Sequence, residues 1–209
     1  MGLVLTGNHV RLESLERHHL DCLAAAAAVD PSLYRWTPLP QGREGMSAYV
    51  DTAIAWREAG TAEPFAIIRL SDGVVLGSTR FWNLERWAWP EGYPRHGRTA
   101  PDVGEIGHTW LTASAIRTPV NTEAKLLMLT YAFEGWEVLR ICLHTDSRNS
   151  RSRAAIERLG AKFEGILRAH RLAADFEIRD SARYSIIAAE WPEIRLRLHE
   201  FVARGRHAG

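Results

Sequence analysis

The stretch EIGHTWLTASAIRTPVNTEAK, residues 105–125, decides the fold. Its first half has the apolar and β-branched residues of a strand, and its second half passes through a polar turn into a helix. Such a helix start leaves backbone N–H groups unpaired, and these groups bind phosphate well. We therefore expect a phosphate-binding turn, although a plain helix cap fits this segment too. Its expected donors are backbone or side-chain groups of Arg117, Thr118, Val120, Asn121, Thr122 and Glu123.

Length, composition and charge restrict the class of protein. The chain has 209 residues, 46% of them hydrophobic and 24% charged, which predicts a single domain over 1–209. A net charge of +1 gives no basic excess, so nucleic acid is not expected as a partner. No apolar run approaches the ~20 residues of a membrane span, and no signal peptide is visible, so we expect a cytoplasmic protein without a membrane partner. Histidines, cysteines and acidic residues lack metal-ligand spacing, so no metal is expected.

Apolar periodicity predicts an α/β fold with alternating elements. Helical spacing marks 16–29, 43–59, 122–134 and 149–159, with a last helix after Trp191 and Pro192. Strands are predicted near 3–15, 65–70, 74–81, 105–111, 138–145, 161–172 and 182–190, and Asp72-Gly73 predicts a hairpin. The strand–helix–strand order over 105–145 predicts a parallel pair of strands. Loop 30–42 is expected to expose Tyr34 and Trp36.

Residues 84–103 interrupt the strand pattern with tryptophans, prolines and glycines. Loops of roughly twenty residues are unusual inside a compact domain and often serve as lids or binding loops. A surface insertion held down by its own tryptophans is the other interpretation.

A second polar motif, NSRS at residues 149–152, follows the predicted strand 138–145. Asn149 or Ser150 is expected to cap the next helix, which places Ser152 on its first turn. The carboxyl ends of parallel strands are where α/β folds bind ligands, so this turn is a second candidate site. Taken alone, this segment fits a plain polar helix start better than a binding site.

Together these motifs resemble the GNAT superfamily of acetyl-coenzyme A-dependent N-acetyltransferases, and most closely its RimJ/RimL-like branch. RTPVNT at 117–122 stands where the family has Arg/Gln-x-x-Gly-x-Gly/Ala, and NSRS with RLGA at 158–161 matches its Asn-x-x-Ser and Leu-Gly-Phe-like pattern. The family's two glycine positions hold Val120 and Thr122 here, so Asn121 is expected to supply any unusual backbone conformation. The resemblance implies a central twisted mixed β-sheet flanked by helices, with acetyl-CoA as the acetyl donor.

The resemblance also implies that a substrate amine attacks the acetyl thioester directly. Glu105 matches the branch's general base, with His108 and His144 as alternatives and a structural pairing of Glu105 with an arginine also open. A backbone N–H of Leu111 or Thr112 would polarise the thioester carbonyl.

By the same resemblance, Asn149 holds the pantetheine arm of the coenzyme and Ser152 assists the departing thiolate. The acceptor is then a primary amine, either a protein or peptide N-terminus or a small molecule, and a homodimer is compatible with the branch. The alternative is a non-catalytic module that binds coenzyme A or a partner protein.

Overall fold

One eight-stranded sheet forms the centre of the protein, whose computed structural model describes residues 2–204. The strand order is β1-β2-β3-β4-β5-β6-β8-β7. Within residues 2–204, only β5 and β6 pair in parallel, as the sequence predicted, so the sheet is mixed but mostly antiparallel. The strands are β1 (Val4–Thr6), β2 (Val10–Ser14), β3 (Glu63–Arg69), β4 (Val75–Glu85), β5 (Val103–Leu111), β6 (Arg140–Asp146), β7 (Lys162–Leu172) and β8 (Ile178–Ile187).

Five α-helices cover the two faces of this sheet. They are α1 (Leu20–Ala28), α2 (Gly42–Glu58), α3 (Val120–Thr130), α4 (Ser150–Arg158) and α5 (Trp191–Ala203). Helices α3, α4 and α5 share one buried cluster with the sheet. Helices α1 and α2 share a second cluster, which includes Trp110 of β5, on the opposite face. The α/β class predicted from the sequence is confirmed.

Local sequence signals account for the main turns. Gly73 has φ +72° in the turn between β3 and β4, a conformation that glycine adopts without a steric penalty. The Asn149 side chain accepts the backbone N–H of Ser152 at 3.0 Å and so caps α4, as expected. Pro192 stands in the first turn of α5, where its missing N–H has no helical partner to lose.

Several predicted boundaries differ from the structure: the strand predicted over 3–15 is the pair β1 and β2, and the strand predicted over 74–81 continues to Glu85. The helix predicted over 16–29 starts with a 3₁₀ turn, Arg17–His19, before α1. The helix predicted over 122–134 begins two residues earlier and ends in a π-helical turn, Tyr131–Gly135. Strand β8 begins at Ile178, because it continues its pairing with β7 as far as Leu172, and 188–190 form a 3₁₀ turn.

The parallel strands β5 and β6 pair only at their beginnings. Val103, Gly104 and Glu105 face 140–142, and beyond Glu105 the strands separate. On its other edge β5 carries a bulge, since Gly107 faces Arg80 while Trp110 faces Ser78. His108 lies in this bulge with φ +50°. The fold thus opens a gap between the carboxyl-terminal halves of two central strands.

Residues 86–102 connect β4 to β5 and correspond to the predicted insertion. Asp102, only 5% exposed, accepts the backbone N–H of Trp87, the indole N–H of Trp89 and a guanidinium N–H of Arg95. The Trp89 ring also stacks on Tyr93 with centroids 5.9 Å apart. A buried carboxylate and aromatic contacts therefore hold the connection in place.

Two sequence expectations concern the whole chain. In residues 2–204 no helix combines the length and the apolar character that crossing a bilayer requires. The single-domain prediction over 1–209 includes Met1 and 205–209, which lie outside the described residues.

Candidate functional site

The gap between β5 and β6 is lined by free backbone groups of β5. Thr112 N–H bonds to Leu76 O at 2.8 Å, so Thr112 cannot offer it to a ligand, which corrects that part of the prediction. This bond makes Leu111 and Gly77 a non-hydrogen-bonded pair, and the N–H of Leu111 therefore points away from β4 and toward the gap. The Leu111 carbonyl accepts the hydroxyl of Tyr34, which is buried and not exposed as the sequence suggested.

The start of α3 presents further donors at the same end of the gap. The backbone N–H groups of Asn121 and Thr122 have no acceptor within residues 2–204, whereas Glu123 N–H bonds to Pro119 O at 2.9 Å. The prediction that Glu123 donates its N–H is therefore wrong. Val120 N–H makes a long contact of 3.4 Å with the Thr118 hydroxyl, which itself donates to Ala115 O.

The turn before α3 uses a different residue for its unusual backbone conformation than we expected. Arg117, exposed at the surface, has φ +60°, while Val120, Asn121 and Thr122 are helical. Positive φ is therefore not needed at the two positions where the family has glycine. Thr122 does not cap α3 either, because its hydroxyl is buried and lies 3.4 Å from a guanidinium nitrogen of Arg158.

The Glu123 side chain has a structural part that sequence reasoning missed. Its carboxylate, 2% exposed, accepts the backbone N–H groups of Asn8, His9 and Val10 at 2.7, 2.6 and 2.8 Å. A Cβ on Gly7 would lie 2.5 Å from the Glu123 carboxyl carbon, so this turn needs glycine. The contact fixes the β1–β2 turn to the first turn of α3.

The first turn of α4 flanks the gap from the β6 side. Because β5 and β6 are parallel, α3 and α4 both begin at the same edge of the sheet. The Ser152 hydroxyl is partly exposed and has no hydrogen-bond partner within residues 2–204. The Asn149 amide nitrogen is likewise unused, while its oxygen caps the helix.

The arginines around α4 already have protein contacts. Arg148 pairs with Asp146 at 2.8 Å and lies 4.6 Å over the Trp36 ring. Arg151 donates to Leu33 O and Arg153 to the Tyr184 hydroxyl. These contacts join α4 to the loop before α2 and to the sheet.

Glu105 and His144 meet where β5 and β6 separate. Glu105 is 4% exposed, and its carboxylate lies 2.9 Å from His144 Nδ1 and accepts a hydrogen bond from Asn83 Nδ2 at 3.1 Å. The ring N–H direction misses the carboxylate, so the two side chains are in close contact without an aligned hydrogen bond. His144 Nε2 is buried without a partner. Within the described residues Glu105 forms no ion pair with an arginine, which removes that alternative.

A cavity of ≈ 190 Å³ lies over this pair on the sheet face that α1 and α2 cover at the other end. Its walls come from β4, β5, β6, β7 and β8. The lining includes Asn83, Glu85, Glu105, Cys142, His144, Leu167, His170, Arg171 and Arg183.

Burial changes the basicity of two groups near the gap. Burial, reinforced by Arg80, Arg171 and Arg179, lowers the pKa of His108 to about 3, so this ring is a poor proton acceptor at neutral pH. Burial also lowers the pKa of Lys125 to about 7, and its ammonium donates to Thr79 and Thr109 inside the core. Lys125 is therefore buried and does not present its charge at the surface of the α3 start.

Comparisons with known proteins decide the family. A model of the acetyltransferase (GNAT) domain matches residues 9–162. The chain belongs to the GNAT family. It is accordingly an acetyl-CoA-dependent acyltransferase, and the non-catalytic alternative is not supported. No curated protein matches the chain.

Solved structures agree with this assignment. A GCN5-related N-acetyltransferase from Brucella melitensis is 26% identical with a TM-score of 0.81, and the match covers 100% of this chain and 92% of that one. A T. thermophilus protein named as an acetyltransferase is 32% identical, with a TM-score of 0.76 and coverage of 96% and 97%. Mycobacterium smegmatis RimJ, in complex with CoA-disulfide, shares the fold at 22% identity, with a TM-score of 0.76 and coverage of 94% and 90%.

The geometry fits the coenzyme of this GNAT chain. The gap offers the Leu111 N–H at one side, the free N–H groups of Asn121 and Thr122 at the helix start, and the unused Ser152 hydroxyl at the other side. All of these groups are hydrogen-bond donors. A thioester carbonyl, a pyrophosphate and a departing sulfur are all hydrogen-bond acceptors, so the two sets match.

The expectation that no metal is needed stays a prediction. Within residues 2–204, Glu13, His18 and His19 place ligand atoms within 4.8 Å of one another, which the sequence spacing did not suggest. They belong to β2 and the turn after it, away from the gap between β5 and β6.

Proposed function

We propose that this GNAT protein transfers the acetyl group of acetyl-CoA to a primary amine, with the Glu105–His144 pair as the proton acceptor. One observation supports this most strongly: the pair lies where β5 and β6 separate, between the coenzyme gap and the cavity. When bound, the coenzyme supplies an activated acetyl thioester. The remaining tasks belong to the chain's own residues.

The donor half of the site binds and polarises. Leu111 N–H donates to the thioester carbonyl, and the N–H groups of Asn121 and Thr122 hold phosphate oxygens at the start of α3. Arg117 adds positive charge at this position. The amide of Asn149 would orient the pantetheine arm, and the Ser152 hydroxyl would donate a hydrogen bond to the departing sulfur, which takes its proton from the attacking nitrogen.

The acceptor half of the site removes a proton from the ammonium group. His144 Nε2 is the open position of the pair, while the Glu105 carboxylate at Nδ1 stabilises the imidazolium that forms. Asn83 fixes the carboxylate from the other side. The general base expected at Glu105 is in this proposal the Glu105–His144 pair, in which His144 takes the proton.

The experiment is a continuous assay of thiol release from acetyl-CoA with a panel of primary amines and N-terminal peptides. We expect Glu105→Gln and His144→Gln each to lower kcat by about 10²–10⁴-fold while acetyl-CoA affinity, measured by titration calorimetry, stays within about threefold. The double variant should lose little more than either single variant, since the two groups act as a unit.

Glu58→Gln, an exposed change at the end of α2, is the control and should keep wild-type kcat. Wild-type kcat in either test variant would remove that residue from the proton acceptor. If no amine released thiol above the blank, the acetyl-transfer proposal itself would fail.

The choice between a protein N-terminus and a small amine is a finer part of the same proposal. RimL, named as a ribosomal L7/L12 alpha-N-protein acetyltransferase, shares the fold with a TM-score of 0.72 at 18% identity, and such a likeness extends to the fold alone. The peptide arm of the assay decides this choice.

A further inference from the structure

Three arginines on the cavity side of the sheet lack a carboxylate partner. They are Arg80 on β4, Arg171 on β7 and Arg179 on β8. Arg80 is 1% exposed, and its Nε and one Nη are buried without a hydrogen bond. The Nε atoms of Arg171 and Arg179 are also buried and unpartnered. Within residues 2–204 none of the three is in an ion pair.

This arrangement is unfavourable for the protein by itself. Arg171 and Arg179 face each other directly across the β7–β8 pair, where like charges repel. Burial lowers the pKa of the Arg179 guanidinium and Arg171 adds to this, while Asp146 and Glu105 act against it. A buried N–H group without an acceptor is unfavourable, and an anion bound at these guanidinium groups would relieve that cost.

Aromatic rings orient these guanidinium groups. Arg171 lies 4.3 Å over the Trp82 ring, and Arg80 lies 4.8 Å over Tyr49 and 5.3 Å over Trp56. Stacking uses the flat face of a guanidinium and leaves the N–H edge available. That edge is what a carboxylate binds in a bidentate manner.

One of these arginines lies in the same cavity as the proposed proton acceptor. Arg171 lines the cavity together with Glu105 and His144. Both Arg171 and Arg179 lower the pKa of His170, another lining residue, although burial is the larger cause. The other acidic groups nearby are occupied, since Asp146 pairs with Arg148 and Glu164 with Arg183. Glu85 and Glu105 are the carboxylates of the cavity lining, and Arg171 is its one arginine without an ion pair in residues 2–204.

We propose that the amine acceptor carries a carboxylate, which Arg171 and Arg179 bind while the amine lies beside the Glu105–His144 pair. This inference rests on the proposed acetyl transfer and adds the acceptor's charge. Arg80 does not line the cavity, so its guanidinium adds positive potential without touching the acceptor. An amino acid and a peptide with an acidic residue after its N-terminus both meet this requirement.

The test compares acceptors that differ only in charge. In one arm, each amino acid is compared with its primary amide. In the other arm, each peptide with Asp at the second position is compared with the same peptide carrying Asn. Both members of a pair are used at equal concentration of unprotonated amine. We expect kcat/KM to be at least tenfold higher for the carboxylated member in at least one of the two arms. A preference in the amino-acid arm identifies an α-carboxylate as the group bound, and a preference in the peptide arm identifies an acidic side chain.

Variants then test whether Arg171 and Arg179 cause this preference. Arg171→Gln and Arg179→Gln should each lower, about tenfold, the ratio of kcat/KM for the carboxylated acceptor to kcat/KM for its neutral counterpart. Arg168→Gln, an exposed change on the same strand as Arg171, is the matched control and should keep the preference.

The wild-type protein provides a readout that does not depend on folded variants. A carboxylic acid without an amine should inhibit competitively against the acceptor, and its methyl ester should not. Equal turnover of charged and neutral acceptors, without inhibition by carboxylates, would overturn this inference and leave acetyl transfer intact. Absence of thiol release with every amine would overturn the proposed function as well.

Discussion

The two halves of the proposed site are built by different means. The donor half uses backbone N–H groups of Leu111, Asn121 and Thr122, all within twelve residues of one segment. The acceptor half uses side chains from β4, β5, β6, β7 and β8, which are up to about a hundred residues apart. Backbone recognition depends on the path of the chain, whereas side-chain recognition depends on which residues meet.

This difference explains how the donor half keeps its shape without two family glycines. Val120 and Thr122 are helical, and the positive φ falls on Arg117, so side chains at the glycine positions do not block the N–H groups. The acceptor half has no such tolerance, because each of its charges lies against a specific neighbour. We therefore expect the two halves to respond differently to substitution.

Among the substitutions that compare the two halves, Glu123→Gln should have the largest effect, a loss of stability. It tests whether the contact of Glu123 with the β1–β2 turn stabilises the donor half. The amide would keep one acceptor oxygen and turn an NH₂ group toward three backbone donors, so we expect the free energy of unfolding to fall by about 2–4 kcal/mol. Denaturant titration measures this change. Glu134→Gln, an exposed change with side-chain contacts to Trp191 and Arg195, should cost about 1 kcal/mol or less.

An equal loss in Glu123→Gln and Glu134→Gln would show that the three N–H contacts add nothing specific. In that case the donor half would be rigid through its own helix start alone.

The two halves also differ in how far the sequence predicts them. The 105–125 stretch predicted its strand, turn and helix, since period, turn residues and helix start lie within one local segment. The N-cap at Asn149 was predicted for the same reason. The sequence did not show that Thr112 and Glu123 have occupied N–H groups, because this depends on Leu76 and on the helix register.

The acceptor half could not be read from the sequence in the same way. Glu105 and His144 were separate candidates, and their contact depends on where β5 and β6 stop pairing. No feature of the sequence indicated a role for Arg171 and Arg179. An arginine that faces another arginine across a hairpin cannot be distinguished by sequence from an ordinary surface arginine. Only strand register distinguishes them.

Arg117→Glu should have an intermediate effect, on the affinity for acetyl-CoA. It tests the donor half alone. Reversing an exposed charge beside the phosphate-binding N–H groups should raise the Kd for acetyl-CoA about tenfold, and less at high salt. Calorimetric titration at two ionic strengths measures both. KM for the amine should not change, because Arg117 lies outside the cavity lining. Arg117→Gln, which removes the charge without reversing it, should show a smaller rise.

Unchanged coenzyme affinity in Arg117→Glu would mean that the phosphates bind elsewhere than the start of α3. A parallel rise in the amine KM would instead show that the two halves are coupled.

The smallest effect is expected for Asp102→Asn, which tests whether the 86–102 connection supports the acceptor half. Burial alone would raise the pKa of Asp102, but the hydrogen bonds from Trp87, Trp89 and Arg95 outweigh it and lower that pKa. The charged carboxylate therefore contributes stability above its unfolded pKa of ~3.9, and this contribution is lost as pH falls through the lower folded pKa.

Asp102→Asn should accordingly lower the free energy of unfolding by about 1 kcal/mol at pH 7, and the gap to wild type should close below about pH 4. Denaturant titrations from pH 3 to 7 measure this. Because Asp102 N–H bonds to Glu85 O at the cavity edge, a loosened connection should raise the amine KM severalfold and leave acetyl-CoA affinity unchanged. A loss of stability that does not depend on pH would assign the effect to packing, since the two proteins differ in titration only by the Asp102 carboxylate.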